Sequence, residues 1–82
     1  MEPEVAFGQV LREFRKRRGL SQEALAHEAD LERNYISLLE LGRNSASIKT
    51  IFKLADALGL TVAELMRMVE FCASEITTSQ DL

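Results

Sequence analysis

The residues with the most chemical reach sit close together in the middle of the chain. Arg33, Asn34 and Ser37 are spaced so that a helix would turn Asn34 and Ser37 to one side, with Arg33 at the flank. Arginine can bond the O6 and N7 of a guanine with two parallel N–H groups, and asparagine can do the same at the N6/N7 edge of an adenine. The same three residues are also what the exposed first turn of any helix carries, so type and spacing leave both readings open. A second cluster is cationic: Arg12-Glu13-Phe14-Arg15-Lys16-Arg17-Arg18. It suits a phosphate backbone, and equally the solvated C-terminal end of a helix, where the dipole favours cations. Catalysis finds no support. His27 and Cys72 are single, four metal ligands cannot be gathered, and neither a Ser/His/Asp set nor a phosphate-cradling glycine loop is present. We therefore expect no enzyme, no metal and no cofactor, with His27 a surface residue and Cys72 a small interface or tail hydrophobe.

The scaffold for these side chains must be small. Eighty-two residues fold around one core, and 46% hydrophobic with 28% charged residues is the balance of an ordinary globular chain. So small a core leaves little room for an effector pocket. No apolar run approaches the roughly 20 residues that span a bilayer, and the acidic start lacks the basic region of a signal peptide, which points to a cytoplasmic protein. The net charge of −3 on its own argues against a polyanionic partner, but it is unevenly spread. Val5 to Lys53 holds nine Lys/Arg against six Asp/Glu, whereas Leu54 to Leu82 holds one Arg against five acids. The first two-thirds is the basic end.

Punctuation and periodicity give five helices and no strand. Phe7, Val10, Leu11 and Phe14 mark a first helix to Arg18, stopped by Gly19. Ser21 caps a second, Gln22 to Ala29; a third runs from about Glu32 to Leu41, with Tyr35, Ile36 and Leu39 on its inner side, and ends at Gly42. Ser47 caps a fourth, Ile48 to Leu58, with Ile48, Ile51, Phe52, Ala55 and Leu58 as its apolar stripe. Thr61-Val62-Ala63-Glu64 matches a capping box and opens a fifth through about Glu70. We expect residues 1–70 to form the domain and 71–82 a polar extension, frayed after Ile76.

A short helix, a turn of about three residues and a second short helix is the spacing of a helix-turn-helix. It comes with three blocks: Gly19-Leu20-Ser21-Gln22-Glu23-Ala24-Leu25-Ala26, Tyr35-Ile36-Ser37-Leu38-Leu39-Glu40-Leu41-Gly42 and Leu54-Ala55-Asp56-Ala57-Leu58-Gly59-Leu60. In these the chain resembles the Xre family of phage-repressor and Cro-type DNA-binding domains, from about Phe7 to Met68. Within the family it is most similar to the controller proteins of restriction–modification systems, through Arg33-Asn34-Tyr35-Ile36-Ser37. The resemblance implies a compact all-α domain and a transcriptional regulator bound to double-stranded DNA.

It also assigns roles. Arg33 and Asn34 become base contacts; by side-chain chemistry alone Ser37 can reach a base or a phosphate and Leu38 a thymine methyl, each equally well a plain surface residue, and Leu41 stays unassigned. Gln22, and Arg43 with Asn44, match the family's phosphate contacts, the last two equally a solvated loop; the Tyr35 phenol and Lys49 are candidates of the same kind by type and place, and Lys16, Arg17 and Arg18 are more distant phosphate neighbours or simply solvated. Arg15 and Glu40 match positions that form a structural ion pair between the first and third helices. The chain departs from the family's pattern at Asp30, where the turn often has glycine, at Glu32, a poor cap, and at Ala46, which replaces a frequent proline.

Leu65, Met66, Met68, Val69 and Phe71 exceed what one inward face of the fifth helix can absorb. A two-fold homodimer through that helix, helped by the end of the fourth, reading a palindromic operator, is the expected assembly. The competing expectation, favoured by Leu38 and Leu41, is an antitoxin-like adaptor whose helix-turn-helix surface binds a protein.

Overall fold

The computed structural model describes the backbone of residues 1–80 and the side chains of residues 1–74. Five helices follow one another: α1 Pro3–Arg17, α2 Gln22–Ala29, α3 Arg33–Glu40, α4 Ile48–Ala57 and α5 Val62–Gln80. The fold is all-α, as expected. None of the helices, among the described residues, is long and apolar enough to cross a membrane.

Each helix contributes at least one fully buried aliphatic side chain to a shared core: Leu11, Leu25, Ile36 with Leu39, Leu54 and Leu65. Burial of each such side chain is worth about 1.5–3 kcal/mol, which compensates for helices too short to be stable alone. Their ends are fixed by local chemistry. Ser21 Oγ accepts from the Ala24 N–H at 3.0 Å, and Ser47 Oγ from the Thr50 N–H at 3.1 Å. At α5 the Thr61 N–H donates to Glu64 Oε1 at 2.8 Å while the Glu64 N–H donates to Thr61 Oγ1 at 3.0 Å. The bond from the Thr61 backbone, then the Thr61 side chain, holds the Glu64 carboxyl below its ordinary pKa.

One crossing sets the position of everything else. α1 lies against α3 at Gly8, where an added Cβ would fall 2.3 Å from the Leu39 carbonyl oxygen and 2.8 Å from that of Glu40. Only glycine lets the two backbones approach this closely.

The structure departs from the sequence reading at three helices. α1 starts at Pro3 rather than Phe7, because proline's fixed φ suits a first helical turn and its missing N–H is not needed there. The α5 backbone continues past Glu70 to Gln80, through the boundary drawn between domain and extension. The fraying expected after Ile76 concerns side chains outside the described residues. In α4 the apolar stripe is wider than the core can cover. Leu54, Ala55, Ala57 and Leu58 are buried, whereas Ile48 and Phe52 are 76% and 59% exposed.

Gly8→Ala should destabilise the fold by at least the roughly 1–3 kcal/mol of an overpacked core. Gly19→Ala meets no atom within 4 Å, and its cost is confined to the left-handed φ of 69°, about 1–2 kcal/mol. Urea unfolding of both variants checks the ranking; equal midpoints would mean that the α1–α3 crossing is not tight.

Candidate nucleic-acid interface

α2 and α3 are joined by residues 30–32. Asp30 takes the left-handed conformation at φ 56° and ψ 51°, which its short polar side chain tolerates, and the Leu31 N–H returns to the Ala26 carbonyl at 2.8 Å. The Lys53 ammonium reaches the same corner from α4, 3.9 Å from Asp30 Oδ2. Glu32 precedes α3 in an extended conformation and makes no side-chain cap, so α3 begins without that support. Its rigidity comes from its inner face, where Ile36 and Leu39 are fully buried.

The outer face carries Arg33, Asn34 and Leu38, all exposed, with Ser37 half-buried beside them. These four lie on one side of a helix whose opposite side is core. Behind them Arg15 and Glu40 form a two-point ion pair. Arg15 Nε donates to Glu40 Oε2 at 2.6 Å and Nη2 to Oε1 at 3.0 Å, with side chains 11% and 4% exposed. Arg15 Nη1 also donates to the Leu20 carbonyl at 2.8 Å, so one guanidinium ties α1 to α3 and to the loop before α2. The bonds to Glu40 raise the Arg15 pKa above its already high ordinary value, against the opposing effect of burial.

Gln22 joins this network, its Nε2 donating to Glu40 Oε1 at 3.1 Å. The second hydrogen on Nε2 remains for another acceptor, at the start of α2, where backbone N–H groups favour an anion. On the far side of α3, Arg43, Asn44 and Lys49 are exposed. Asn44 Oδ1 accepts from the Ser45 N–H at 3.0 Å, within the loop after α3. Tyr35 is half-buried and its hydroxyl donates to the Ser45 carbonyl at 3.3 Å, so its proton is engaged in holding this loop rather than offered to a phosphate.

Some residues take other places than the sequence reading gave them. Arg18 donates from Nη1 to the Ala57 carbonyl at 3.2 Å, at the C-terminal end of α4. Arg17 pairs with Glu13 at 3.4 Å and lies 5.7 Å over the Phe14 ring. Of the α5 residues expected at a dimer interface, Leu65 and Val69 belong to the protomer's own core, because α5 presses that edge against α1. Met66 is half-buried and Met68 and Phe71 are exposed, on opposite flanks of the helix. The end of α4 is buried too, and its exposed apolar residues, Ile48 and Phe52, are at the start. The sequence missed these two because their spacing is that of a core stripe. It also passed over Arg12, which borders one groove with Arg15, Gln22, Ser37, Glu40 and Leu41. The i,i+3 spacing of Arg12 and Arg15 was the available signal.

Two short helices joined by a three-residue turn, the second buried on one side and polar on the other, define a helix-turn-helix protein. The helix-turn-helix family model HTH_3 matches residues 11–65, and the chain belongs to that family of DNA-binding transcription regulators. It is 37% identical over 67 residues to the control protein C.MunI of a Mycoplasma species, covering 80% of this chain and 90% of that one. Among solved structures it is similar to the restriction-modification controller protein C.AhdI from Aeromonas hydrophila, with a TM-score of 0.74, 47% identity, and coverage of 76% of this chain and 94% of that one. The clp gene regulator ClgR from Corynebacterium glutamicum superposes with a TM-score of 0.90 at 27% identity, covering 99% and 86%.

Glu40→Gln leaves Arg15 buried without its counter-charge and should lower stability by about 3–5 kcal/mol in denaturant unfolding. Arg33→Ala, at an exposed position, should change it by no more than about 0.5 kcal/mol. Comparable losses for the two would show that the ion pair is not what fixes α3.

Proposed function

We propose that the chain is a cytoplasmic, dimeric controller-type regulator that reads a palindromic operator with the outer face of α3. The observation that carries this reading is the placement of Arg33, Asn34, Ser37 and Leu38 on the solvent side of a helix whose back is locked by Arg15 and Glu40. In the major groove Arg33 addresses the O6/N7 edge of guanine, Asn34 the N6/N7 edge of adenine, and Leu38 a thymine methyl, with Ser37 adding a hydroxyl. Gln22 on one side of α3, and Arg43, Asn44 and Lys49 on the other, hold phosphates and set the register. Tyr35 serves the phosphate clamp through the loop it anchors. The similarity to C.MunI and C.AhdI supports a role in controlling restriction–modification genes.

A single α3 offers few base contacts, and two copies related by a two-fold axis double them on an inverted repeat. The surface that fits this use is the one around Ile48 and Phe52, next to the groove lined by Ala46, Ile51 and Met66. It follows directly on the loop from α3, on the helix that begins at Ile48. Met68 and Phe71 lie on the other flank of α5, against Gln9 and Val10.

Selection from a random duplex pool at two salt concentrations should enrich an inverted repeat with half-sites about 10 bp apart, with affinity falling steeply as salt rises. Recovery of no motif from folded dimer would overturn the reading and favour a protein partner at Leu38 and Leu41. On the selected site Arg33→Ala should cost about 1–3 kcal/mol and on random DNA almost nothing. In analytical ultracentrifugation Phe52→Glu should sediment as monomer and Phe71→Glu as dimer; the reverse pattern would move the interface to the α1 flank.

A further inference from the structure

Three features are left over once α3 and its flanking donors have been assigned. Arg12 is exposed on α1 and, among the described residues, its guanidinium makes no hydrogen bond or ion pair. Leu41 is 60% exposed immediately after α3, an apolar residue facing solvent. Between them runs a groove of about 250 Å³, bordered by Arg12, Arg15, Gln22, Ser37, Glu40 and Leu41.

The charge of this groove is decided by its floor. Glu40 is its one acid, and both of its carboxylate oxygens are taken, Oε2 by Arg15 and Oε1 by Arg15 and Gln22. Arg12 therefore stands as an uncompensated cation. Around it are further donors: the free hydrogen of Gln22 Nε2 and the Ser37 hydroxyl. The Leu41 side chain supplies the apolar part of the same lining. An anion bonded to Arg12 and Gln22 would have its non-polar attachment lie on Leu41. A phosphodiester with its deoxyribose has this two-sided chemistry, and the groove opens beside the face of α3 assigned to base edges. Its volume, several times the ~30 Å³ share of one water, admits a phosphate with part of its sugar.

We infer that Arg12, with Gln22 and Leu41, forms a sugar–phosphate seat in the α1–α2–α3 groove, which holds the operator backbone on the side of α3 opposite Arg43 and Lys49. The inference rests on the DNA-binding reading above. The two clamps then bracket α3, so that the helix cannot roll in the groove and its base contacts keep one register. Arg12 contributes affinity and orientation and reads no base.

The test compares the wild type with Arg12→Gln, Arg12→Lys and Leu41→Ala on the selected duplex and on random duplex across a salt series. For Arg12→Gln, affinity should fall by the same factor on both DNAs, and the log–log salt slope should drop by about 1, one phosphate fewer. Arg12→Lys should keep the wild-type slope, since it keeps the charge. Leu41→Ala should weaken both DNAs equally with the slope unchanged. A methylphosphonate placed at single backbone positions should weaken the wild type at one phosphate per half-site where Arg12→Gln, left with the Gln22 contact alone, loses distinctly less. An unchanged slope for Arg12→Gln, or an altered base preference, overturns the seat while leaving DNA binding intact. Failure of the wild type itself to bind any duplex overturns the DNA-binding reading together with the seat.

Discussion

Glu40 brings a full negative charge to a position where only 4% of its side chain meets solvent, and Arg15 arrives from α1 to meet it at 2.6 Å. Burying two charges costs several kcal/mol each, and the attraction repays this only when geometry and the remaining hydrogen bonds are good. Here they are. Both oxygens of Glu40 accept, and the third nitrogen of Arg15 is used by the Leu20 carbonyl. A well-packed apolar pair could give the same net stability. What it could not do is fix directions, and direction is what the second helix of a helix-turn-helix needs. The pair sets the rotation of α3 relative to α1, and its leftover acceptor holds Gln22 at the start of α2. One interaction thereby aligns the face proposed to read bases with the side chain proposed to hold a phosphate.

The rest of the fold protects that alignment. α3 has eight residues, and a helix of that length is unstable in water without tertiary support. It lacks a side-chain cap at Glu32, so its geometry is borrowed from Ile36 and Leu39 in the core, from the glycine crossing with α1, and from the Tyr35 anchor on the following loop. Asp30 accepts a left-handed backbone where the family often has glycine, and Lys53 steadies that corner from α4. Arg33, Asn34 and Leu38 are left exposed on the outer side of α3, which is the placement the proposed reading of DNA requires.

Much of this was legible in the sequence, for identifiable reasons. Ser21, Ser47 and the Thr61/Glu64 box act over three residues, so local pattern found each cap where the structure has it. Spacing of apolar residues gave the inner face of α3. What spacing does not carry is which part of an over-wide stripe the neighbours cover. Ile48 and Phe52 therefore read as core and are surface, while Leu65 and Val69 read as interface and are core. The cationic run shows the same limit. Its members are adjacent in sequence but point around a helix, so Arg15 is buried, Arg17 pairs with Glu13, Arg18 reaches α4 and Arg12 turns to the groove.

The proposed placement of the outer face of α3 in the major groove, held from behind by Arg15 and Glu40, specifies which base atoms the protein covers. Methylation interference on the selected duplex addresses this directly, because dimethyl sulfate marks guanine N7 in the major groove and adenine N3 in the minor groove. Interference at guanine N7 in each half-site, with adenine N3 methylation between them tolerated, is the result predicted. Interference confined to adenine N3 would place the protein in the minor groove instead, with α3 not the reading helix.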